Sequence, residues 1–522
     1  MQKERIFYPL TKAQESVQII ENFYPGTSFV NICGTVRIKE EVDFELFNLA
    51  INHLLEMNEA LRTRISRQNG SQVQYIEEYR FEKFPVFDFS EGDGFTVFYR
   101  WARQVSQQPF EFYDSKLYYF ALVKIGPKET GFFIKGHHII MDAWSIILLA
   151  NEVLENYCRL KKGLPPQERQ RTSFIQTILN EQDYLASARF RKDRDFWQNI
   201  IAKCHESALF DTKNVKNTKA RCKSLPLPPH ISTLINKYCS ENGISPFIVF
   251  ASALAICLAK TKDKNIIVIG TPFLNRSGVK EKNTIGMFVN NFPVAIEIDP
   301  AQKYRDFAQN LTSEWLQMLR HGKYPYVQLL KDYREMHQVK DRLYDVTLSF
   351  QNAKFDKREI DFDFTTEWHF NEQEVNPLSI NINDRENKGI YHIDYHFWEE
   401  TLSDFEIEQI NQGIMQLIEE ALNNPDLEIA RLSLLSSAQR QLVLEEFNRT
   451  AYSYPEEKSL VDLFEEQVDA NPEKTAVIFA DDKMTYREVD LRANQLANFL
   501  LKQGVKKQDV VVLKVERSFN MI

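Results

Sequence analysis

The sequence predicts a mixed α/β protein of the α+β kind, built as two lobes. Short runs rich in β-branched residues recur with hairpin turns between some of them. Amphipathic helical stretches sit among these runs without alternating strictly with them. The 522 residues also exceed one ordinary domain.

Residues 29–38 read as a strand, and Asp43 then caps a helix whose Phe44, Phe47, Ile51, Leu54 and Leu55 recur at helical spacing up to Glu56. Residues 117–125 form another strand. Gly126-Pro127 marks a turn, and residues 131–136 run back as a hairpin. A helix follows Asp142, with Ile146, Ile147, Leu149, Val153 and Leu154 on its apolar face. A second lobe begins near residue 176, and the first spans 1–175. Tyr184 to Asn199 is charged and helical, and Pro226, Pro228 and Pro229 mark a break. Residues 245–260 read as a buried helix and 265–271 as a buried strand. Further apolar strands fall around 291–298, 344–351 and 391–397. The second lobe ends at 430, and residues 431–455 read as a linker. Over 456–522 the pattern changes to helix, strand (Thr475–Ala480), helix (Glu488 to Gln503) and strand (Val510 to Val515). That is the opening of an α/β domain, expected to be cut in mid-pattern.

Hydrophobic residues make up 43% and charged residues 26%, and the formal net charge is -9. No basic run or aromatic-basic stripe is present, so nucleic acid is not an expected partner. No stretch reads as a membrane span, and Met1 to Arg5 lacks a signal-peptide core. A cytoplasmic location is the expected default. Cys33, Cys158, Cys204, Cys222, Cys239 and Cys257 are scattered, with no Cys-x-x-Cys pair, and read as reduced thiols. Glycine is scarce, at 17 residues, and neither common phosphate loop occurs.

The most informative segment is Gly136-His137-His138-Ile139-Ile140-Met141-Asp142-Ala143-Trp144-Ser145. It puts two histidines and a carboxylate where an apolar strand runs out before a helix. Histidine suits proton transfer near neutral pH. Neighbouring strand residues point to opposite faces, so His137 and His138 cannot both meet one substrate. The same opposition argues against a shared metal site, and no His-Glu-x-x-His or Gly-x-Ser-x-Gly occurs. Asp142 sits where a carboxylate caps a helix N-terminus.

Ordered motifs extend this reading. Leu10-Thr11-Lys12-Ala13-Gln14 is similar to "LTxAQ". Asn58 to Ile65 is similar to "RHExLRTRF", and His137 to Ala143 to "HHxxxDG". Ile285 to Asn291 is similar to "IGxFVNT". His321 with Tyr324-Pro325-Tyr326 is similar to "HQxYPF", and Asn376-Pro377-Leu378 to "RNPL". Met484 to Val489 is similar to "LTYxEL". On these motifs the chain resembles the condensation domain of nonribosomal peptide synthetases, followed by a linker and the start of an adenylation domain.

The resemblance implies two chloramphenicol-acetyltransferase-like lobes in a V-shaped pseudodimer around a central tunnel. It implies an acyltransferase that joins a donor thioester to the amine of an acceptor aminoacyl thioester. The chain itself is expected to bind no cofactor; phosphopantetheine arrives on donor and acceptor carrier proteins. The chain's own adenylation domain is a further expected partner, and a monomer is expected. By resemblance His138 faces the tunnel as base or amine-positioning group, with His137 in support, and Asp142 pairs with Arg62 to lock the loop. Trp144, Gly286 and Asn290 are expected near the tunnel. Ala143 replaces the family's usual glycine, and its cost depends on the sign of φ there. His321, His392 and His396 have no supporting motif and receive no role. Adenylation chemistry is not expected, because its phosphate loop and catalytic lysine are absent from the sequence. A start nine residues before Leu10, with Tyr8-Pro9 and Phe23 to Thr27, leans toward a starter or L-donor type. The rival expectation is a catalytically silent, condensation-like module that recruits a partner enzyme. Such modules usually carry a degraded histidine motif, and this one is kept.

Overall fold

The computed structural model describes residues 5–522 apart from 205–207, 214, 216, 341, 352–357 and 385–388. It separates into two compact units, Met1–Ser436 and Ser437–Ile522.

The first unit opens with β1 (Tyr8–Pro9) and α1 (Lys12–Phe23). Thr11 and Gln14 cap that helix reciprocally, which satisfies two otherwise orphaned backbone donors. There follow β2 (Asn31–Ile38), α2 (Phe44–Met57), β3 (Thr63–Gln68), β4 (Ser71–Ile76), β5 (Val86–Asp88) and α3 (Gly94–Gln107). Asp43 caps α2 as its position predicts, accepting from the backbone N–H of Glu45 and Leu46. Next come the hairpin β6 (Tyr118–Gly126) and β7 (Glu129–His137), then α4 (Ala143–Lys161). Strands β5, β6, β7 and β2 form one sheet, with β2 and β7 paired from Asn31↔His137 to Ile38↔Thr130. Its apolar face packs on α2 and α4 through Phe47, Ile51, Leu54, Phe132, Ile134 and Leu149, all within 1% of full burial. Each such side chain contributes about 1.5–3 kcal/mol on leaving water.

The charged stretch after residue 176 is two helices, where the sequence suggested one from Tyr184 to Asn199. They are α5 (Phe174–Ala186) and α6 (Ala188–Ile201). Ser187 breaks them by capping α6, its hydroxyl accepting from Phe190 N–H, an arrangement that competes with continuing the helix. Phe174 and Ile178 still lie in the first lobe's core.

The second lobe holds β8 (Ala220–Pro226), α7 (Pro229–Asn242), α8 (Pro246–Lys262), β9 (Ile266–Phe273), α9 (Gly278–Lys282), β10 (Asn290–Glu297), α10 (Tyr304–Arg320) and α11 (Tyr326–His337). It continues with β11 (Val346–Gln351), β12 (Phe364–His369), β13 (Leu378–Asn383), β14 (His392–Trp398) and α12 (Asp404–Asn423). Helix α8 is buried without a break from Phe247 to Ala259, as its uniformly apolar sequence requires. The six-stranded sheet runs β10-β9-β11-β13-β14-β8.

One strand crosses between lobes. β12 leaves the second lobe and pairs antiparallel with β2, from Phe364↔Ile38 to His369↔Cys33. His369 Nε2 lies 2.7 Å from Thr35 Oγ1, and Tyr99 donates to Glu367 at 2.6 Å, so the guest strand is pinned by side chains as well as backbone. The second lobe is therefore not one continuous stretch from 176 to 430.

The second unit contains α13 (Ser437–Gln441), α14 (Leu460–Ala470), the hairpin β15 (Thr475–Phe479) and β16 (Asp482–Thr485), and α15 (Tyr486–Lys502). Every residue from 440 to 455 of the expected linker segment is exposed, and Ser459 and Thr485 begin their helices with reciprocal caps. The expected strand at Val510 to Val515 is not a strand. It pairs with nothing among the described residues, and Val510 and Val512 are 90% and 84% exposed.

Candidate active site

Strand β7 ends at His137, and the chain turns at once. His137 N–H donates to Leu117 O and His138 N–H to Val30 O, both at 2.8 Å. Gly136 makes the turn possible. A Cβ there would lie 2.3 Å from Met141 Sδ, so only glycine lets the loop fold back on its own strand.

The two histidines diverge as strand alternation predicts. His137 is 2% exposed, beside Phe112 at a ring separation of 5.1 Å. Its Nδ1 accepts from Ile139 N–H at 3.1 Å, which assigns the proton to Nε2, 3.5 Å from Glu21 Oε2. Burial holds His137 below the ordinary histidine range, against the pull of Glu21. It shapes the loop. His138 is half-buried, and its Nδ1 is enclosed without a hydrogen-bond partner. Burial lowers its pKa below 6.5, partly offset by the charge of Asp142. At neutral pH the ring is uncharged and able to take a proton.

Asp142 is fully buried and over-satisfied. It accepts from Ser145 N–H at 2.9 Å and Ser145 Oγ at 2.8 Å, capping α4. Phe288 N–H and Val289 N–H donate to it at 3.1 and 3.3 Å. Burial alone would raise its pKa, but Arg276 and these donors outweigh it and hold the carboxyl below its usual range.

The cationic partner is Arg276, and the expected pair with Arg62 does not form. Arg276 Nη1 and Nη2 donate to Asp142 Oδ2 and Oδ1 at 2.8 and 3.0 Å, and both side chains are 0% exposed. Such a two-pronged pair is strong and directional. Arg62 instead donates to Leu55 O, Glu77 O and Glu56 O, tying off the end of α2. Its reach is spent on carbonyls 6, 7 and 15 residues away in sequence. Arg276 follows Asn275, whose φ of 51° turns the loop after β9 inward. No local spacing marks Arg276, which is why sequence reasoning missed it.

The remaining expected residues surround this clamp. Ala143 opens α4 and does not take a positive φ, so its methyl group is unstrained. Trp144 is half-buried and donates from Nε1 to Lys282 O at 2.9 Å. Gly286 O accepts from Ser145 Oγ and Arg276 Nη2, and a Cβ at 286 would meet Phe288 and Phe174 at 2.8 and 2.9 Å. Asn290, expected to line a tunnel, is a buried clamp. Its amide donates to Gly322 O and Tyr324 O and accepts from Tyr326 N–H. Ile285 and Met287 from the same loop complete the first lobe's core.

One turn beyond Asp142, Ile146 faces a cavity of about 40 Å³. Val36, Ile134, Ile147 and Trp368 give it an apolar wall, and Gln351 and Asn383 of the six-stranded sheet give it a polar one. Among the described residues no group of three or more His, Cys, Asp or Glu is arranged to hold a metal ion.

A family model described as "Condensation domain" matches residues 4–444. The chain belongs to the condensation-domain family. A second model, "AMP-binding enzyme", matches residues 464–522. Surfactin synthase subunit 1 of Bacillus subtilis (strain 168) is 33% identical over 525 aligned residues, which cover 99% of this chain and 15% of that protein. Tyrocidine synthase 3 of Brevibacillus parabrevis is 26% identical, over 99% of this chain and 8% of its own length. The chain therefore spans a small part of these relatives.

Among solved structures, the starter condensation domain of rhizomide synthetase superposes with a TM-score of 0.68 at 20% identity, covering 83% of this chain and 100% of that one. A four-domain nonribosomal peptide synthetase bound to AMP and glycine superposes with a TM-score of 0.78 at 17% identity, covering 97% of this chain and 40% of that one. These likenesses establish the paired-lobe fold of condensation domains, with its chloramphenicol-acetyltransferase-like halves.

Proposed function

We propose that this condensation domain forms an amide bond between a donor acyl or peptidyl thioester and the amine of an acceptor aminoacyl thioester. The observation that carries the reading is His138: an uncharged, half-buried imidazole on a loop whose far end is clamped by Asp142 and Arg276. The acceptor amine attacks the donor carbonyl carbon and becomes positively charged. His138 takes a proton from it or holds it in line, and the tetrahedral species collapses with loss of the donor thiolate. Proton transfer by a placed group contributes about 10²–10⁴-fold, and alignment can contribute more. The apolar wall of Ile134, Ile146 and Ile147 suits an apolar part of a substrate.

Family membership supports delivery of both substrates on phosphopantetheine arms of carrier proteins. The likeness to a starter domain and to a surfactin synthase subunit supports a donor that is an acyl group joined to a first amino acid. The match of residues 464–522 to an AMP-binding family supports an adenylation domain as a further partner, and the cytoplasm is the compartment this reading assumes.

The test mixes this chain with a donor carrier and an acceptor carrier, each loaded, and follows the acceptor by intact mass spectrometry. The acceptor is expected to gain the donor acyl mass. An acceptor whose mass never changes with any acyl or peptidyl donor would overturn the reading.

A further inference from the structure

The face of the six-stranded sheet that carries Gln351 and Asn383 also carries a polar row, one residue per strand. Thr347, Ser379, His396 and Cys222 stand in register across β11, β13, β14 and β8. Thr347 Oγ1 donates to Ser379 Oγ at 2.7 Å. The row ends on β8, an edge strand, where Cys222 is exposed; the other five cysteines are buried. Residues directly opposite on antiparallel strands have Cβ atoms about 4.5–5.5 Å apart, so the thiol and the imidazole are neighbours.

His396 is itself held from behind. Its Nδ1 lies 3.5 Å from Glu374 Oε2, and its ring lies tilted against Phe370 at a centroid separation of 4.2 Å, both on the segment that follows β12. Glu374 is fixed in turn. Its Oε1 accepts from Val375 N–H at 2.9 Å, and its carbonyl accepts from Trp398 Nε1 at 2.8 Å. Sulfur, imidazole and carboxylate thus stand in the order that activates a thiol. None of the three belongs to the site around His138.

The surrounding charges are engaged elsewhere. Arg221 pairs with Asp404, Lys223 with Glu408 and Lys219 with Glu399. Asp394 accepts from Ser224 Oγ and Asn383 Nδ2, and Arg342 lies over Trp398. Burial opposes a charge on His396, but Cys222 and Glu374 outweigh it and raise the ring to about 9. Cys222 itself is open to solvent, and a cavity lies next to the segment that holds Glu374. Thr218 and Gln373, next to Glu374, line a cavity of about 610 Å³ with Tyr24, Asn217 and Lys219.

We propose that Cys222 is a second nucleophile of this domain, which accepts acyl groups from thioesters with His396 as its proton carrier and Glu374 orienting the ring. His396, held charged beside Glu374, pairs with the Cys222 thiolate, whose proton leaves to solvent, and the sulfur attacks the thioester carbonyl carbon. The bond from that carbon to the departing sulfur breaks, the leaving thiolate takes a proton from His396, and the ring regains one from solvent. One thioester replaces another, and no oxidant, reductant or water is consumed. The choice of thioesters as substrate class rests on the function proposed above.

The test incubates the full chain with hexanoyl-N-acetylcysteamine and maps adducts by intact and peptide mass spectrometry. A hydroxylamine-labile acyl adduct is expected on Cys222, absent in Cys222→Ser. Its rate is expected to fall by about 10²-fold in His396→Gln and by less in Glu374→Gln. Iodoacetamide labelling of Cys222, compared among variants with the wild-type melting temperature, is expected to slow in the same order, a readout independent of thioesters. Cys222→Ser is expected to keep the wild-type rate of carrier-to-carrier condensation, so the two proposals fail separately. An unacylated Cys222, or acylation that is indifferent to both His396→Gln and Glu374→Gln, would overturn the proposal.

Discussion

The histidine loop and the C-terminal unit carry equally clear local signals, and only one of them is locked. Between residues 136 and 145, His137, Asp142 and Ser145 are each at most 2% exposed, and Asp142 meets five donor groups on three segments. In the C-terminal unit, α14 and α15 have full capping boxes, yet neither helix buries a residue within the described chain. Leu460, Leu496 and Phe499 are 86%, 53% and 57% exposed. Local capping and periodicity are enough to specify a helix. A site needs partners distant in sequence.

The largest way to break this contrast is Arg276→Ala. It strands a buried carboxylate and is expected to cost roughly 3–5 kcal/mol, seen as a large fall in melting temperature and loss of turnover together. Asp142→Ala should behave alike, and normal melting with lost turnover in both would show the pair to be chemical rather than structural. Gly286→Ala presses a methyl group onto the edges of Phe174 and Phe288 and should cost about 1–3 kcal/mol by denaturant unfolding. Arg62→Ala removes two contacts to carbonyls at the end of α2 and one to Glu77 O just after β4, for about 1–2 kcal/mol, with condensation intact. A collapse like that of Arg276→Ala would restore Arg62 to the site. The smallest effect is Ala143→Gly. At the first position of α4 it should lose under about 1 kcal/mol and gain no rate. A gain in turnover would show that the methyl group obstructs substrate.

The parts of the fold legible in the sequence were those set by near neighbours. Asp43 and Asp142 cap helices through donors two or three residues away, and β7 alternates its side chains up to His137. The parts that were not legible depend on distance. Arg276 reaches Asp142 across 134 positions, and Arg62 was the nearer arginine in a motif-like segment. The crossing of β12 to β2 leaves no mark in either strand's own pattern, because each reads as an ordinary strand. Ser187 was read through as helix because its neighbours keep helical composition. Val510 to Val515 has strand composition, but an unpaired strand leaves its backbone to water. His396 was passed over because its significance lies in what faces it across two strands.

The most direct test of the central claim measures melting and condensation on one His138→Ala preparation. The melting temperature should stay at the wild-type value, since the ring's enclosed nitrogen has no hydrogen bond to lose, while transfer between carriers falls by about 10²–10⁴-fold. Transfer at the wild-type rate by a folded His138→Ala protein would contradict the account.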